Sequence, residues 1–153
     1  MHHLQIVLVE PEIPPNTGAI ARICAATNTV LHLIEPLGFH LDDKTLKRAG
    51  MDYWKHVQWH AWPSWAIFRE KHPAARFHLF TTKQGISYTE VQFKPDDFLV
   101  FGRETKGLPE SLLHEHADAC VTIPMLNANV RSLNLATAAS IVLYEALRQV
   151  RAI

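Results

Sequence analysis

Net charge is the first thing this 153-residue chain lacks, since fifteen lysines and arginines balance fifteen aspartates and glutamates. Binding a polyanion by overall charge is excluded, so a nucleic-acid partner would have to be met by a local patch. Cysteine is scarce as well. Cys24 and Cys120 sit apart in apolar surroundings without CxxC spacing, which argues against a disulfide scaffold and suits reduced core residues of an intracellular protein. No apolar run reaches membrane-spanning length, and MHHLQIVLVE has no charged leader before a long apolar region, so a cytoplasmic protein without a membrane partner is expected. Ten histidines are present, but neither HExxH nor a Cys/His cluster occurs. HVQWHAW alternates as a strand does, setting His56 and His60 on one face but far apart along it, and no metal is expected.

Three nucleotide and nucleophile signatures are missing too. Gly102-x4-Gly107 copies the start of a phosphate-binding loop, but Leu108-Pro109 stands where the phosphate-reaching lysine should be. GxGxxG is absent, which removes the dinucleotide fingerprint. Gly85-Ile-Ser87-Tyr-Thr89 lacks the final glycine of a nucleophile elbow. There is no internal repeat, low-complexity tract or linker, so residues 1–153 read as one domain.

What remains is an alternation of strand and helix. Strand-like runs are QIVLVE (5–10), VLHLIE (30–35), HVQWHA (56–61), RFHLF (76–80), DFLVF (97–101) and ACVTI (119–123). Several are continuous Val/Ile/Leu/Phe runs, as in strands buried on both faces. Between them, Asn16 can cap a helix with Ile20, Ile23, Cys24 and Thr27 on one face. Shorter helices are expected over 42–51, 63–72 and 109–116. The longest, 133–151, carries Ala136, Ala139, Ser140, Leu143, Ala146, Leu147 and Val150 along one stripe, with Ser132 or Asn134 as its cap. The pattern predicts an α/β fold, mainly a parallel sheet with helices on both faces. Ligands of such sheets bind at strand carboxyl ends.

Three of those ends carry polar, bend-prone loops: TTKQG after RFHLF, GRETKGLP after DFLVF, and PMLNANVRSLN after ACVTI. Together they point to one cleft for a ligand that needs close backbone approach and apolar walls but little phosphate clamping, such as an adenosine with a sulfonium side chain. Gly102 and Gly107 are expected to make room for it. Near the amino end, VEPEIPPNTGAIARICAATN sets Gly18 and Arg22 four apart on one helix face, leaving space beside the guanidinium. Arg22 is therefore either a solvated surface cation or a functional one.

Asn16-x-Gly18-x3-Arg22, then FGRETKGLP, then IPM…RSLNL…A…IVLYE, in this order, resemble the SPOUT superfamily of trefoil-knotted RNA methyltransferases. The similarity is greatest to the minimal members that methylate the ribose 2′-oxygen of the tRNA wobble nucleotide; LIEPLGF (33–39) and LKRAGMDYW (46–54) resemble further markers of that group. One departure is visible: five residues, LNANV, separate IPM from RS where the family pattern has four.

The resemblance implies a deep carboxyl-terminal trefoil knot, a homodimer, and S-adenosyl-L-methionine, without a metal, in the cleft. By position it implies Phe80, Gly102, Ile123, Met125, Ser132 and Leu133 as cofactor contacts. Arg22, Glu104 and Asn134 fall at catalytic places. A guanidinium stays protonated in proteins, so Arg22 is expected to grip the target phosphate and stabilise the developing alkoxide, Glu104 to orient a loop or an arginine, and Asn134 to hold cofactor or target.

The implied substrate is cytidine or modified uridine 34, probed through the tRNA anticodon stem-loop and carried by leucine tRNAs. Ribosomal RNA as the target, or a catalytically silent RNA-binding protein, are the alternatives. Lys44, Lys47, Arg48 and Lys55, with Lys83, Arg103, Lys106 and Arg131 in the loops, would meet RNA phosphates. Tyr53, Trp54, Trp59, Trp62 and Trp65 are candidates for stacking on bases or for core packing.

Overall fold

The computed structural model describes residues 2–41 and 51–153. Among the described residues seven strands form one sheet: β1 (Gln5–Val9), β2 (Val30–Ile34), β3 (Trp59–Trp62), β4 (Phe77–Phe80), β5 (Ile86–Ser87), β6 (Phe98–Phe101) and β7 (Cys120–Thr122). Their order is β3-β2-β1-β6-β4-β7-β5, and each neighbouring pair is parallel. Parallel strands need crossovers; α1 (Pro14–Thr27), α2 (Trp65–Lys71) and α3 (Glu110–Glu115) lie in three of them, and α4 (Leu135–Gln149) follows the last strand.

The continuous apolar runs are buried on both faces because alternate residues point opposite ways. Ile6 and Leu8 of β1 join one cluster with Ile20, Ala21 and Cys24 of α1 and Ala139, Val142, Leu143 and Ala146 of α4. Val7 and Val9 join another with Phe68 of α2 and Leu112 and Leu113 of α3. The expected α/β architecture with both faces covered is therefore observed.

Three local expectations change. Helix α1 begins at Pro14, with Ile13 as its N-cap, rather than at a capping Asn16. Proline suits the first turn because its missing N–H would have no helical partner there. His56 ends a 3₁₀ segment, Met51–His56, and β3 starts only at Trp59, so His56 and His60 do not share a strand. The short β5 went unread because two residues carry no periodicity. The helix expected over 42–51 lies, apart from Met51, outside the described residues, as do Lys44, Lys47 and Arg48.

Strand β7 lies between β4 and β5, although β5 follows β4 directly in the chain. The connection 81–85 thus passes over β7. Thr81 N–H donates to the Val121 carbonyl at 3.0 Å, and a Cβ on Gly85 would lie 2.4 Å from the Cys120 carbonyl oxygen. Gly85 also has φ +110°, so both contact and conformation require glycine there. No helix among the described residues is long and apolar enough to cross a membrane.

Candidate active site

A cavity of about 550 Å³ opens at the carboxyl ends of β4, β6 and β7, within the size range of small-molecule sites. The rings of Phe80 and Phe101, at adjacent strand ends, stack at 4.8 Å with 11° between planes and give it a flat apolar floor. Ile123, Met125, Leu133, Leu135 and Ala138 extend the apolar lining, while Thr81, Glu104, Ser132 and Asn134 add polar groups. The three loops expected to converge do converge. Phe80, Gly102, Ile123, Met125, Ser132 and Leu133 all line this one cavity, together with Glu104 and Asn134.

The longer LNANV segment is absorbed locally. Asn127 accepts from Asn129 N–H through its side chain and from Val130 N–H through its carbonyl, which closes a turn. Ser132 and Leu133 still reach the cavity, and Leu126 projects fully into solvent.

The glycines of the 102–107 loop both line the cavity and also shape the loop itself. A Cβ on Gly102 would lie 2.2 Å from the Gly107 carbonyl carbon and the Leu108 nitrogen. Gly102 therefore lets the loop close on itself, where Arg103 and Gly107 exchange backbone hydrogen bonds. Gly107 has φ +69° and open space around it, so conformation alone demands it.

Glu104 and Asn134 are both engaged in holding the walls together. The Glu104 carboxylate accepts from Glu12 N–H at 2.9 Å, Ile13 N–H at 2.8 Å and Asn16 Nδ2 at 3.2 Å. It sits at the amino end of α1, where a negative charge is favoured and N–H groups lack helical partners. Asn134 caps α4 by accepting from Ala136 and Thr137 N–H, and its Nδ2 donates to Asn16 Oδ1 at 2.9 Å. Asn16 thus joins Glu104 to Asn134. Its bridging role was not legible, because it depends on partners 88 and 118 residues away.

Further ties fix the same loop. Arg103 donates to Glu10 at 2.7 Å, which raises the guanidinium pKa further. Thr105 donates to Glu12 through both its hydroxyl and its N–H, and these bonds hold the Glu12 carboxyl below the usual carboxylate range. Burial pushes the Cys24 thiol up, leaving it an uncharged core residue.

Arg22 is the one expected site residue that the cavity does not include. It is exposed on α1 and stands over the Tyr53 ring, 4.8 Å from its centroid. Trp54 and Trp59 pack on each other at 4.4 Å and against the core; Trp62 and Trp65 are half-buried beside Phe68. Among these aromatics only Tyr53 is exposed. Among the described residues, no group of three or more His, Cys, Asp or Glu is placed to hold a metal.

Residues 3–144 match the SpoU rRNA Methylase family. A tRNA (cytidine(34)-2'-O)-methyltransferase of Saccharophagus degradans is 52% identical over 147 residues, covering 94% of each chain. A solved structure concerned with 2-OH methylation of C/U34 on tRNA superposes with a TM-score of 0.93 at 45% identity, covering 99% of both chains. The SpoU methyltransferase AviRb from Streptomyces viridochromogenes, solved in complex with AdoMet, shares the fold at a TM-score of 0.82 and 24% identity, covering 99% of this chain and 62% of that one.

Proposed function

The chain belongs to the SpoU rRNA Methylase family, and from that premise we propose that it methylates the ribose 2′-oxygen of nucleotide 34 of tRNA. S-adenosylmethionine is the donor, and its sulfonium supplies an activated methyl group for in-line displacement by the hydroxyl oxygen. The observation that carries this reading is the single cavity where three strand-end loops meet. The residues there fit an adenosine: the Phe80–Phe101 floor offers a flat apolar surface, and the polar rim can fix a ribose and an amino-acid tail.

In this reading Phe80, Gly102, Ile123, Met125, Ser132 and Leu133 bound the donor site. Glu104 and Asn134 act by position. With their hydrogen-bonding atoms committed to Asn16 and to backbone N–H groups, they hold the reacting partners in register, which contributes most in a transfer of this kind. Arg22 grips the target phosphate through its guanidinium and stabilises the alkoxide as the 2′-hydroxyl proton leaves to phosphate or water.

Because Arg22 does not line the cavity of its own chain, a homodimer is the proposed working unit, with a second copy or the RNA itself closing that gap. Tyr144, 44% exposed on α4, supports the reading of this helix as an interface element. The passage of loop 81–85 over β7 supports the proposed carboxyl-terminal knot within a single domain spanning the chain. Cytidine or modified uridine of leucine tRNAs, reached through the anticodon stem-loop in the cytoplasm, is the substrate in this proposal.

The test is methyl transfer from labelled S-adenosylmethionine to total RNA, followed by mapping of the label. Ribose label at position 34 of tRNA is expected. Label in ribosomal RNA would move the target, and absence of label despite RNA binding would leave a silent RNA-binding protein.

A further inference from the structure

We infer that Tyr53 is a positioning residue for Arg22, holding the guanidinium at the angle from which it meets the reacting ribose; this rests on the catalytic role proposed for Arg22. Among the described residues Arg22 makes no hydrogen bond or ion pair, and its head group rests on the Tyr53 ring, 4.8 Å from the centroid. An exposed arginine with four free torsions loses much of its time to unproductive rotamers. A ring face against the guanidinium narrows that set by cation–π attraction without consuming its N–H donors. The donors stay available for a phosphate or an alkoxide.

The segment carrying Tyr53 is built to hold that ring still. In a 3₁₀ helix, residues three apart lie in line. Trp54 and Val57 form the inward row: Trp54 packs on Trp59 with the rings tilted, Val57 is 8% exposed, and Val57 N–H donates to the Trp54 carbonyl at 3.4 Å. Tyr53 and His56 form the outward row and are exposed. The Trp54 anchor therefore fixes the backbone while Tyr53 reaches across to α1. A tyrosine serving the core would turn inward, whereas this one spends its ring on a cation.

The experiment compares Tyr53→Leu, Tyr53→Phe and Arg22→Ala in the full-length chain. With tRNA as substrate, Y53L is expected to lower kcat about tenfold, while Y53F stays within about twofold of wild type. The KM for tRNA, the affinity for S-adenosylhomocysteine and the unfolding temperature should hardly move. The Arg22 Nε–H proton, shifted upfield by the ring in wild type and Y53F, should move to its ordinary position in Y53L. A raised KM at unchanged kcat in Y53L would assign the ring to base stacking and overturn the inference. So would an Arg22 proton at its ordinary position in wild type, which needs no variant to fold. If R22A loses transfer while Y53L keeps full kcat, only the role of Tyr53 fails; if R22A keeps full transfer, the proposed reading of Arg22 fails with it.

Discussion

At the carboxyl ends of β1, β6 and β7, polar side chains reach between elements 88 to 118 residues apart and leave an open cavity beside them. At the β2–β3 edge, polar side chains are used differently. His32, 2% exposed, is closed in by His60, Trp62, Phe68, His72 and Phe98. Trp62 Nε1 donates to its Nδ1 at 3.0 Å, and its Nε2 pairs with Gln5 Oε1. Both ring nitrogens are satisfied, and five aromatic rings lie against the imidazole. Buried polarity alone therefore does not mark a site. What distinguishes the two regions is that the first network holds loops around a cavity, while the second holds aromatic rings against a core strand.

The largest effect on this contrast is expected from Gly102→Val. Its side chain would drive into the Gly107–Leu108 backbone, and overpacking against backbone costs about 3 kcal/mol. Loss of S-adenosylhomocysteine binding by calorimetry, with a lowered unfolding temperature, is the expected outcome; wild-type heats would show that the loop tolerates opening.

Next comes Asn16→Ala. It removes the bridge and leaves one Asn134 donor and part of the Glu104 carboxylate without partners, a loss of about 1–3 kcal/mol. Transfer should fall by more than the cofactor affinity does, because the walls lose register. Equal losses in both would reduce Asn16 to a packing residue.

The His32 side of the comparison is sharpened by pH. Burial, then the neighbouring His72 and His60, depress its pKa from 6.5 to about 3. Between those values the unfolded chain binds the proton and the folded chain does not, so stability falls as pH drops from about 6.5 toward 3. The steepest slope is about 1.4 kcal/mol per pH unit. In chemical denaturation from pH 7 to 5, His32→Gln should flatten that dependence, and an unchanged slope would assign it to other groups. The smallest effect belongs to Glu110→Ala, which breaks the exposed Lys83–Glu110 pair at 3.2 Å; surface pairs contribute at most about 1 kcal/mol, and thermal unfolding should barely shift.

Much of this was legible in the chain. Continuous runs such as FLVF announced strands buried on both faces, and three unusual strand-end loops announced where a ligand would sit. The eight loop and strand-end residues named in advance do share one cavity. The rest depends on distance in sequence. Neither the Asn16 bridge nor the passage of loop 81–85 over β7 has a local signature, because each depends on residues that meet only in the folded chain. The two glycines of GRETKG were recognisable as special, but only coordinates separate a glycine needed for its own loop's closure from one needed by a ligand. Arg22 shows the opposite limit, since its spacing from Gly18 was plain while its separation from the cavity was not.

The most direct measurement is a crystal structure with S-adenosylhomocysteine bound. The adenine is predicted between the strand-end loops beside the Phe80–Phe101 floor, with Leu133 and Ile123 against it. An adenosine found outside the cavity bounded by residues 80–83, 101–108 and 121–138 would contradict the account.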